Sequence, residues 1–327
     1  MQTIFVAGGA GFIGSHFCKI ASKNGYKIVV YDNLSTGKRE FVKYGDFIEG
    51  DLNNYDLLIQ TFKKYNPVAV VDFAGFIQVG ESVKNPYKYY YNNVVATLNL
   101  LKAMIDCDVK NIIFSSTAAT FGIPKENIIN ENTPQNPINP YGESKLMVEK
   151  ILEDFRKAYN LNYTILRYFN ASGADLDGEF GEIHNPPCHL IPIILDKYKK
   201  NEEIKIFGGD WNTKDGTCIR DYIHVNDLAN AHILALQKML NTKTSIKLNL
   251  GSGKGYSVLE IIQKAEEVVG NKIKYTITDR RSGDPEQLIC DNTLAKEYLG
   301  WNIEFIDIKD HIKHSWNWIK DNLKKFM

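Results

Sequence analysis

A glycine-rich turn close to the start of this 327-residue chain constrains its fold more than any other feature. An apolar strand pattern over residues 3–7 leads directly into a turn with a glycine at every third position, Gly8, Gly11 and Gly14. A helix pattern follows, and then a second strand pattern over residues 27–31, which ends at Asp32. Such glycines let the backbone approach a pyrophosphate at a helix N-terminus, and the carboxylate accepts a hydrogen bond from a ribose hydroxyl. We therefore predict a dinucleotide site, and NAD rather than NADP, because Asp32 would repel a 2′-phosphate.

The first half of the chain alternates between strand and helix patterns. Further strand patterns cover residues 47–49, 68–72, 111–114 and 163–167, and helix patterns cover residues 55–64, 86–105 and 141–158. Such alternation predicts an α/β fold with a parallel, doubly wound sheet of the Rossmann type. Ligands of these sheets lie beyond the carboxyl ends of the strands. Asp51, Phe73 and residues 115–117 follow or end strand patterns, so we expect them near the cofactor.

Some polar positions allow two interpretations. Asp51 suits either a helix cap or a contact to adenine. Asn92 and Asn93, in the long helix pattern, are either solvated or turned inward to hold the cofactor.

Tyr141 and Lys145 form the candidate catalytic pair. They are four residues apart in a predicted helix, so their side chains project from the same face. A lysine ammonium near a tyrosine hydroxyl lowers the tyrosine pKa, and such a tyrosine can take a proton from a substrate hydroxyl and return it. A threonine or serine hydroxyl from the end of the neighbouring strand, at Ser115, Ser116 or Thr117, would complete the relay. A Tyr-x-x-x-Lys spacing also arises by chance in a chain with 18 tyrosines, so this prediction depends on its context.

The pattern changes after the strand that ends near residue 170. Residues 171–192 are irregular and contain three prolines, which marks a boundary. We expect a dinucleotide-binding domain over residues 1–170 and a smaller α/β substrate-binding domain over residues 171–327. The chain is expected to cross between the two near residues 220–250.

Arginines are rare in this chain, since only six of its 39 basic residues are arginine. Three of the six, Arg220, Arg280 and Arg281, lie in two polar loops of the second half. Surface charge is one interpretation. A planar guanidinium also suits an anion such as a diphosphate, which the loops then hold.

Composition argues against several other classes of protein. The formal net charge is +0, so the sequence indicates no surface for nucleic acid or an anionic membrane. No apolar run approaches the roughly 20 residues that span a bilayer. The five cysteines are scattered without a Cys-x-x-Cys pair, which predicts reduced thiols in the cytoplasm rather than disulfides or a zinc site. His311 and His314 lack acidic or thiol partners at ligand spacing, and we expect no bound metal.

Taken together, these motifs resemble the extended short-chain dehydrogenase/reductase superfamily and, within it, the NAD-dependent epimerase/dehydratase family. The resemblance covers nearly the whole chain and rests on residues 8–16, 32–34, 50–52, 79–82, 115–119, 141–145, 167–170 and 215–225. The last two segments are typical of the 4-epimerases of UDP-hexoses. The implied activity is reversible 4-epimerisation of UDP-glucose and UDP-galactose, by transient oxidation at C4 with tightly bound NAD.

The resemblance implies roles for the motif residues. Tyr141, as phenolate, takes the proton of the sugar 4-hydroxyl, Lys145 holds the nicotinamide ribose, and Thr117 hydrogen-bonds the 4-oxygen. The implied cofactor-binding residues are Gly8, Gly11, Phe12, Ile13, Gly14, Asp32, Asn33, Asp51, Leu52, Phe73, Ala74, Gly75, Asn92, Ser115, Lys145 and Phe169. The implied substrate-binding residues are Thr117, Tyr141, Asn170, His189, Leu190, Phe207 (near the uracil), Arg220, Arg281, Asp284 and Leu288.

The chain departs from the pattern of the family at four positions. Ile77 replaces a common lysine, which removes one cofactor contact, whereas Thr117 replaces a common serine and keeps the hydroxyl. His189 stands where asparagine is frequent. Leu288 occupies the position at which the size of the side chain distinguishes family members that accept only plain hexoses from those that also accept N-acetylated ones. Leucine leaves more room than the tyrosine of some members, so the resemblance also implies activity on UDP-N-acetylglucosamine and its galacto epimer.

Other functions on the same fold remain open at this point. A sugar-nucleotide 4,6-dehydratase would need an acid pair after the strand-end threonine, where this chain has Ala118 and Ala119. A UDP-glucuronate decarboxylase and a non-catalytic NAD-binding regulator would also be compatible with the fold. By analogy with relatives, we expect a homodimer formed through the helices at 86–105 and 141–158.

Overall fold

The computed structural model describes residues 1–184, 186–281 and 283–326. In chain order its strands are β1 (Thr3–Ala7), β2 (Lys27–Asp32), β3 (Asp46–Glu49), β4 (Ala69–Asp72), β5 (Asn111–Thr117), β6 (Ile128–Ile129), β7 (Asn162–Tyr168), β8 (Asn170–Ser172), β9 (Ile204–Phe207), β10 (Ile219–His224), β11 (Ile246–Leu250), β12 (Gly255–Ser257), β13 (Tyr275–Thr278) and β14 (Gln287–Cys290). Its α-helices are α1 (Phe12–Lys23), α2 (Tyr55–Tyr65), α3 (Val79–Lys84), α4 (Pro86–Tyr90), α5 (Ala96–Asp106), α6 (Pro140–Tyr159), α7 (Leu190–Lys199), α8 (Val225–Thr242), α9 (Val258–Val269), α10 (Thr293–Leu299) and α11 (Ile308–Phe326).

Seven strands form one large sheet in the order β11-β7-β5-β4-β1-β2-β3, and every neighbouring pair is parallel. Alternate residues of β1 enter two different cores. Ile4 and Val6 pack with α1 and α8 on one face, and Phe5 packs with α2, α5 and α6 on the other. Burial on both faces explains why the strands are continuously apolar. The predicted Rossmann-type α/β fold is confirmed.

The remaining strands form a smaller layer. β12, β10, β14 and β6 lie side by side, with β8 also paired to β10, and β13 pairs with β9. A third core lies beneath α7, α9 and α11, and it contains Ile194, Ile261 and Ile312. β11 and α8 come from this half of the chain, yet β11 is an edge strand of the large sheet and α8 packs on α1.

Several elements differ from the sequence-based expectation. The predicted helix at 86–105 consists of α4, a π-helical segment (Tyr91–Val95) and α5. α7 begins at Leu190, inside the stretch that we expected to be irregular. We did not predict β10, because buried polar residues interrupt the run of apolar residues by which a buried strand is recognised. Asp221 illustrates this: its carboxylate is buried and accepts hydrogen bonds from the backbone N–H groups of Ser252, Gly253 and Cys290.

Within the described ranges, no helix is both long enough and apolar enough to span a bilayer.

Candidate active site and nucleotide cleft

A cleft opens at the carboxyl ends of the central strands, where the strand order reverses between β1 and β4. Its volume is about 580 Å³, including the part that is open to solvent. The predicted cofactor-binding residues that line it are Gly8, Gly11, Asp32, Asn33, Asp51, Leu52, Phe73, Ala74, Gly75 and Asn92. The structure adds residues that the sequence did not single out, among them Tyr31, Ser35, Thr36 and Phe76. Crevices at such switch points are the usual ligand sites of doubly wound sheets.

Close backbone packing explains the glycines of the first turn. Gly8 has a φ of +72°, in the left-handed region, and an added Cβ would lie 2.7 Å from the backbone nitrogen of Ala74. A Cβ at Gly14 would collide with the carbonyl oxygen of Gly8. Phe12 and Ile13 open α1 immediately behind this turn. The helix N-terminus is therefore brought to the edge of the cleft, where its backbone N–H groups favour an anion.

Asp32 ends β2 and lies in the wall of the cleft. Its two carboxylate oxygens accept hydrogen bonds from the backbone N–H groups of Ala10 (2.9 Å) and Leu34 (2.8 Å). Burial raises the pKa of this carboxyl, and the two hydrogen bonds oppose that effect. A carboxylate oxygen has more than one lone pair, so Asp32 keeps capacity to accept from a ligand hydroxyl.

Asp51 does not cap a helix, which removes one of its two interpretations. The cap of α2 is Asn54, whose side chain accepts from the N–H of Leu57 at 3.1 Å. The carboxylate of Asp51 accepts from the backbone and side chain of Asn53, both at 2.8 Å, and from the side-chain amide of Asn33 at 2.7 Å. These contacts hold the acid in the cleft wall.

The first turn of α6 places Tyr141 beside Thr117. The helix is capped by Asn139, whose side-chain oxygen accepts from the N–H of Gly142 at 2.9 Å. A Cβ at Gly142 would collide with the carbonyl oxygen of Ala119, so glycine is needed for this turn to approach the end of β5. The Thr117 side chain lies beside the Tyr141 hydroxyl and acts to lower its pKa. The sequence did not single out Gly142, although a glycine directly after a candidate catalytic tyrosine was a visible signal.

The predicted lowering of the Tyr141 pKa is wrong for the protein alone. Burial of the hydroxyl raises the Tyr141 pKa, and the negative charge of a Cys188 thiolate raises it further. The Thr117 side chain acts in the opposite direction and lowers the pKa, but by less. The sequence showed the helical spacing of Tyr141 and Lys145, but it did not show how deeply the hydroxyl is buried. Desolvation disfavours the phenolate, and here it is the largest effect.

Lys145 is buried at the inner end of the cleft. Its ammonium lies 4.8 Å from the ring centroid of Phe114, and a Cβ on Gly75 would lie 3.1 Å from it. Burial lowers the Lys145 pKa to about 8, and the charge of Asp72 opposes this. Burial likewise raises the pKa of Asp72 to about 6, although the positive charge of Lys145 acts to lower it. The structure thus adds Asp72, the last residue of β4, as the electrostatic partner of Lys145.

Other predicted cofactor residues differ in their surroundings. Asn92 faces the cleft, whereas Asn93 is buried and bonds both the N–H and the carbonyl oxygen of Phe76, at 2.9 and 3.0 Å. Ser115 is buried and accepts a hydrogen bond from the Tyr168 hydroxyl. Phe169 lies outside the cleft lining, in a small apolar cluster whose other members are Ala118, Phe121, Ile129, Leu288 and Cys290.

The predicted substrate residues gather around β10 and β14. Arg220 and Leu288 are direct neighbours on these two strands. The guanidinium of Arg220 lies 3.8 Å from the carboxylate of Asp284. The charges of Arg220, Asp284 and Arg281 all act on the thiol of Cys218, so the three side chains face one region.

Two further candidates flank this region. The guanidinium of Arg281 stacks over the ring of Phe207 at 4.3 Å from its centroid, and the ring is 39% exposed. Asn170 begins β8, and its side-chain amide donates to the carbonyl oxygen of Asp221 at 2.7 Å. Arg280, in contrast, bonds Asp210 at 2.6 Å, so its guanidinium is engaged elsewhere.

His189 and Leu190 lie at the start of α7, in a group of side chains that the sequence reasoning missed. The Nδ1 atom of His189 lies 2.8 Å from the buried carboxylate of Glu182, and that carboxylate also contacts His184 and Cys188. Burial alone would raise the pKa of Glu182, but the charge of His189 and the hydrogen bonds from both imidazoles hold it below its usual value. The sequence did contain a signal for this group, because four side chains that can ligate a metal lie within the eight residues 182–189.

Comparison with known proteins places this architecture in a family. The model of the NAD dependent epimerase/dehydratase family matches residues 4–251, and the chain belongs to that family. A UDP-glucose 4-epimerase of Halalkalibacterium halodurans is 46% identical over 322 residues, which are 98% of this chain and 96% of that protein. The crystal structure of UDP-glucose 4-epimerase from Brucella ovis in complex with NAD has a TM-score of 0.95 and 47% identity, covering 97% of this chain and 98% of the other. The UDP-Glc/GlcNAc 4-epimerase of Campylobacter jejuni has a TM-score of 0.87 and 39% identity, with coverage of 98% and 99%. The resemblance inferred from the motifs is confirmed.

Proposed function

We propose that this protein interconverts UDP-glucose and UDP-galactose by inverting C4 of the hexose, with NAD held in the cleft. Full-length similarity to UDP-glucose 4-epimerases supports this activity. The single observation that carries the chemistry is the contact between Tyr141 and Thr117 at the carboxyl end of β5. A proton-accepting hydroxyl and a second hydroxyl that orients it are what oxidation of a secondary alcohol requires.

The cleft fits a dinucleotide. Gly8 and Gly11 of the glycine turn line the cleft, so a pyrophosphate can approach the backbone there and meet the N-terminus of α1. Asp32 and Asp51 present acceptors to ribose and base, and Phe73, Ala74 and Gly75 form the wall that leads to Lys145. We assign these residues to NAD, with Lys145 at the nicotinamide ribose. When bound, NAD supplies a hydride acceptor for C4 and a positive charge that opposes the effect of burial on Tyr141.

In the proposed mechanism Tyr141, as the phenolate that bound NAD and Lys145 would stabilise, takes the proton of the C4 hydroxyl as C4 is oxidised. Thr117 hydrogen-bonds the same oxygen and keeps it directed at Tyr141. After the 4-keto sugar has turned over, Tyr141 returns the proton to the C4 oxygen, and the hydride that bound NAD would hold would return to the other face of C4.

The residues around β10 suit the uridine diphosphate. Arg220 and Arg281 offer guanidinium groups for the diphosphate, Asp284 orients Arg220, and Phe207 presents an exposed ring face for stacking on uracil. Asn170, His189 and Leu190 complete this side of the site in our assignment. NAD therefore lies mainly with residues 1–170 and the UDP-sugar with residues 171–327, and the chain crosses back to the large sheet through α8 and β11.

Incubation with UDP-galactose, without added NAD, tests the activity. Chromatography should resolve UDP-glucose as the product and show the same final ratio when the reaction starts from UDP-glucose. Release of carbon dioxide from UDP-glucuronate, or a dehydrated keto product, would instead favour a decarboxylase or dehydratase. No conversion of UDP-galactose, even after NAD is supplied, would overturn the proposal.

Leu288 leads us to propose that N-acetylated UDP-hexoses are also substrates. Its side chain is partly buried beside Arg220 and leaves more room than an aromatic side chain. Wild-type protein should convert UDP-N-acetylgalactosamine, and Leu288→Tyr should lower that rate by about 10–100-fold while changing UDP-galactose turnover little. Leu288→Met, which conserves volume, is the matched control. The idea fails if the wild-type protein converts UDP-galactose but neither N-acetylated sugar.

The homodimer expected from the resemblance is supported by one exposed face of the helical segment from α4 to α5. Tyr87 (74% exposed), Tyr91 (44%) and Val95 (40%) follow one another at helical spacing along it. Side chains of this kind are buried when two subunits pack helix against helix. Light scattering that gives the mass of one chain at micromolar concentration would rule out this dimer.

A further inference from the structure

Four potential metal ligands meet in front of α7. They are Glu182, His184, Cys188 and His189, which read in sequence as Glu-x-His-x-x-x-Cys-His. One ligand atom from each residue can be chosen so that all four atoms lie within 4.8 Å of one another. This group plays no part in the proton and hydride transfers assigned above. It is nevertheless close to them, because the charge of Cys188 acts on Tyr141.

The ligand atoms are close enough together to share one small divalent cation. The carboxylate oxygens of Glu182 lie 3.3 Å from His184 Nδ1, 3.8 Å from Cys188 Sγ and 2.8 Å from His189 Nδ1. Cys188 Sγ lies 3.6 Å from His189 Nδ1. Zinc–ligand distances of about 2.0–2.3 Å place tetrahedral ligands about 3.3–3.7 Å apart. The four separations above lie between 2.8 and 3.8 Å, on either side of that range, and all four ligand atoms lie within 4.8 Å of one another, so the side chains would have to move by about an ångström to close around a cation.

The chemistry of the donor set is selective. One thiol, two imidazoles and one carboxylate combine soft and borderline ligands, which favour zinc over magnesium or calcium. The side chain of Glu182 is only 4% exposed. A buried carboxylate is costly unless a positive charge lies beside it, and a cation supplies that charge at the centre of the group. Protonated His184 and His189 are the alternative source of positive charge.

We propose that Glu182, His184, Cys188 and His189 form a binding site for Zn²⁺ or a similar divalent transition metal. His189 is the residue that precedes the first turn of α7, so the metal would fix that turn to the segment that contains Glu182. The sequence-based expectation of no metal relied on the absence of a Cys-x-x-Cys pair. In this site the thiol is instead combined with imidazoles and a carboxylate brought together by the fold.

Metal analysis of the intact protein tests the site. Wild-type protein, incubated with Zn²⁺ and passed through a desalting column, should retain about one zinc per chain. Co²⁺ should give a thiolate-to-cobalt charge-transfer band in the near ultraviolet. Cys188→Ser should abolish the band and weaken zinc binding by at least about tenfold, since loss of even an outer-shell partner costs about 10–100-fold.

Cys107→Ser is the matched control, because Cys107 is also a partly buried free thiol but lies at the end of α5. It should bind zinc and give the cobalt band like the wild type. The proposal is overturned if wild-type protein retains no zinc, if Cys188→Ser binds as tightly as the wild type, or if the cobalt band is absent. Protonated histidines alone would then explain how Glu182 is neutralised. None of these readouts depends on the epimerase activity, so failure of one proposal would not imply failure of the other.

Discussion

Replacing Tyr141 by phenylalanine should lower the rate of UDP-galactose conversion by about 10²–10⁴-fold, the range that a positioned acid–base group contributes. The substitution keeps the aromatic ring in the first turn of α6. It removes the hydroxyl that lies beside the Thr117 side chain and that, in our proposal, takes the proton of the sugar. The loss should appear in kcat more than in KM, because the hydroxyl acts mainly in the transition state. Initial rates measured by product chromatography check this.

Tyr163→Phe is the control for that substitution. Tyr163 is a buried tyrosine on β7, near the amino end of its strand and therefore at the opposite edge of the sheet from the cleft. Its variant should keep nearly the wild-type rate. If Tyr141→Phe retains more than about half of the wild-type activity, Tyr141 is not the acid–base group, and a non-catalytic role for the fold regains support.

Replacing Arg167 by methionine should destabilise the protein by about 3–5 kcal/mol, the usual cost of leaving one member of a buried ion pair alone. Arg167 and Glu149 are 1% and 0% exposed in their side chains, and their shortest contact is 2.7 Å. Glu149 also accepts from Ser116 at 2.5 Å and from Gln135 at 3.1 Å. The pair therefore holds α6 to β7 and to the residue just before Thr117. Urea denaturation followed by circular dichroism measures the change.

The exposed pair of Lys264 and Glu267, at 2.7 Å on α9, provides the control. Lys264→Met should change the free energy of unfolding by less than about 1 kcal/mol, because exposed ion pairs contribute little. In the double variant Arg167→Met with Glu149→Leu, part of the lost stability should return, since no lone charge remains buried. Equal effects of Arg167→Met and Lys264→Met would contradict this account of the core.

Much of the fold could be predicted because its signals are local. The turn at Gly8 to Gly14 and the acid Asp32 follow apolar strands directly, and the structure places them where the pattern indicates. β10 was missed because Asp221 is buried on a strand and satisfied by the backbone of residues 252, 253 and 290, which are distant in sequence. Local periodicity carries no information on such partners.

In the candidate site, too, local features could be predicted from the sequence, whereas effects that depend on burial or on distant residues could not. Tyr141 and Lys145 both lie in α6 as predicted, but the direction of the Tyr141 pKa shift depends on burial, which no spacing reveals. Asp72 became a partner of Lys145 only through the pairing of β4 with β5. The cluster around Cys188, in contrast, had a local signal, four potential ligands within residues 182–189, which a search for a Cys-x-x-Cys pair does not detect.

The most direct test of the central claim is to follow the hydrogen at C4. UDP-galactose carrying deuterium at C4 is incubated with the purified protein without added NAD, and the UDP-glucose formed is analysed by mass spectrometry and NMR. The account predicts that the product keeps its deuterium at C4, because the same hydride leaves and returns within one site. Conversion with loss of deuterium to solvent would contradict transient oxidation at C4, and no conversion, even after NAD is supplied, would contradict the proposed activity itself.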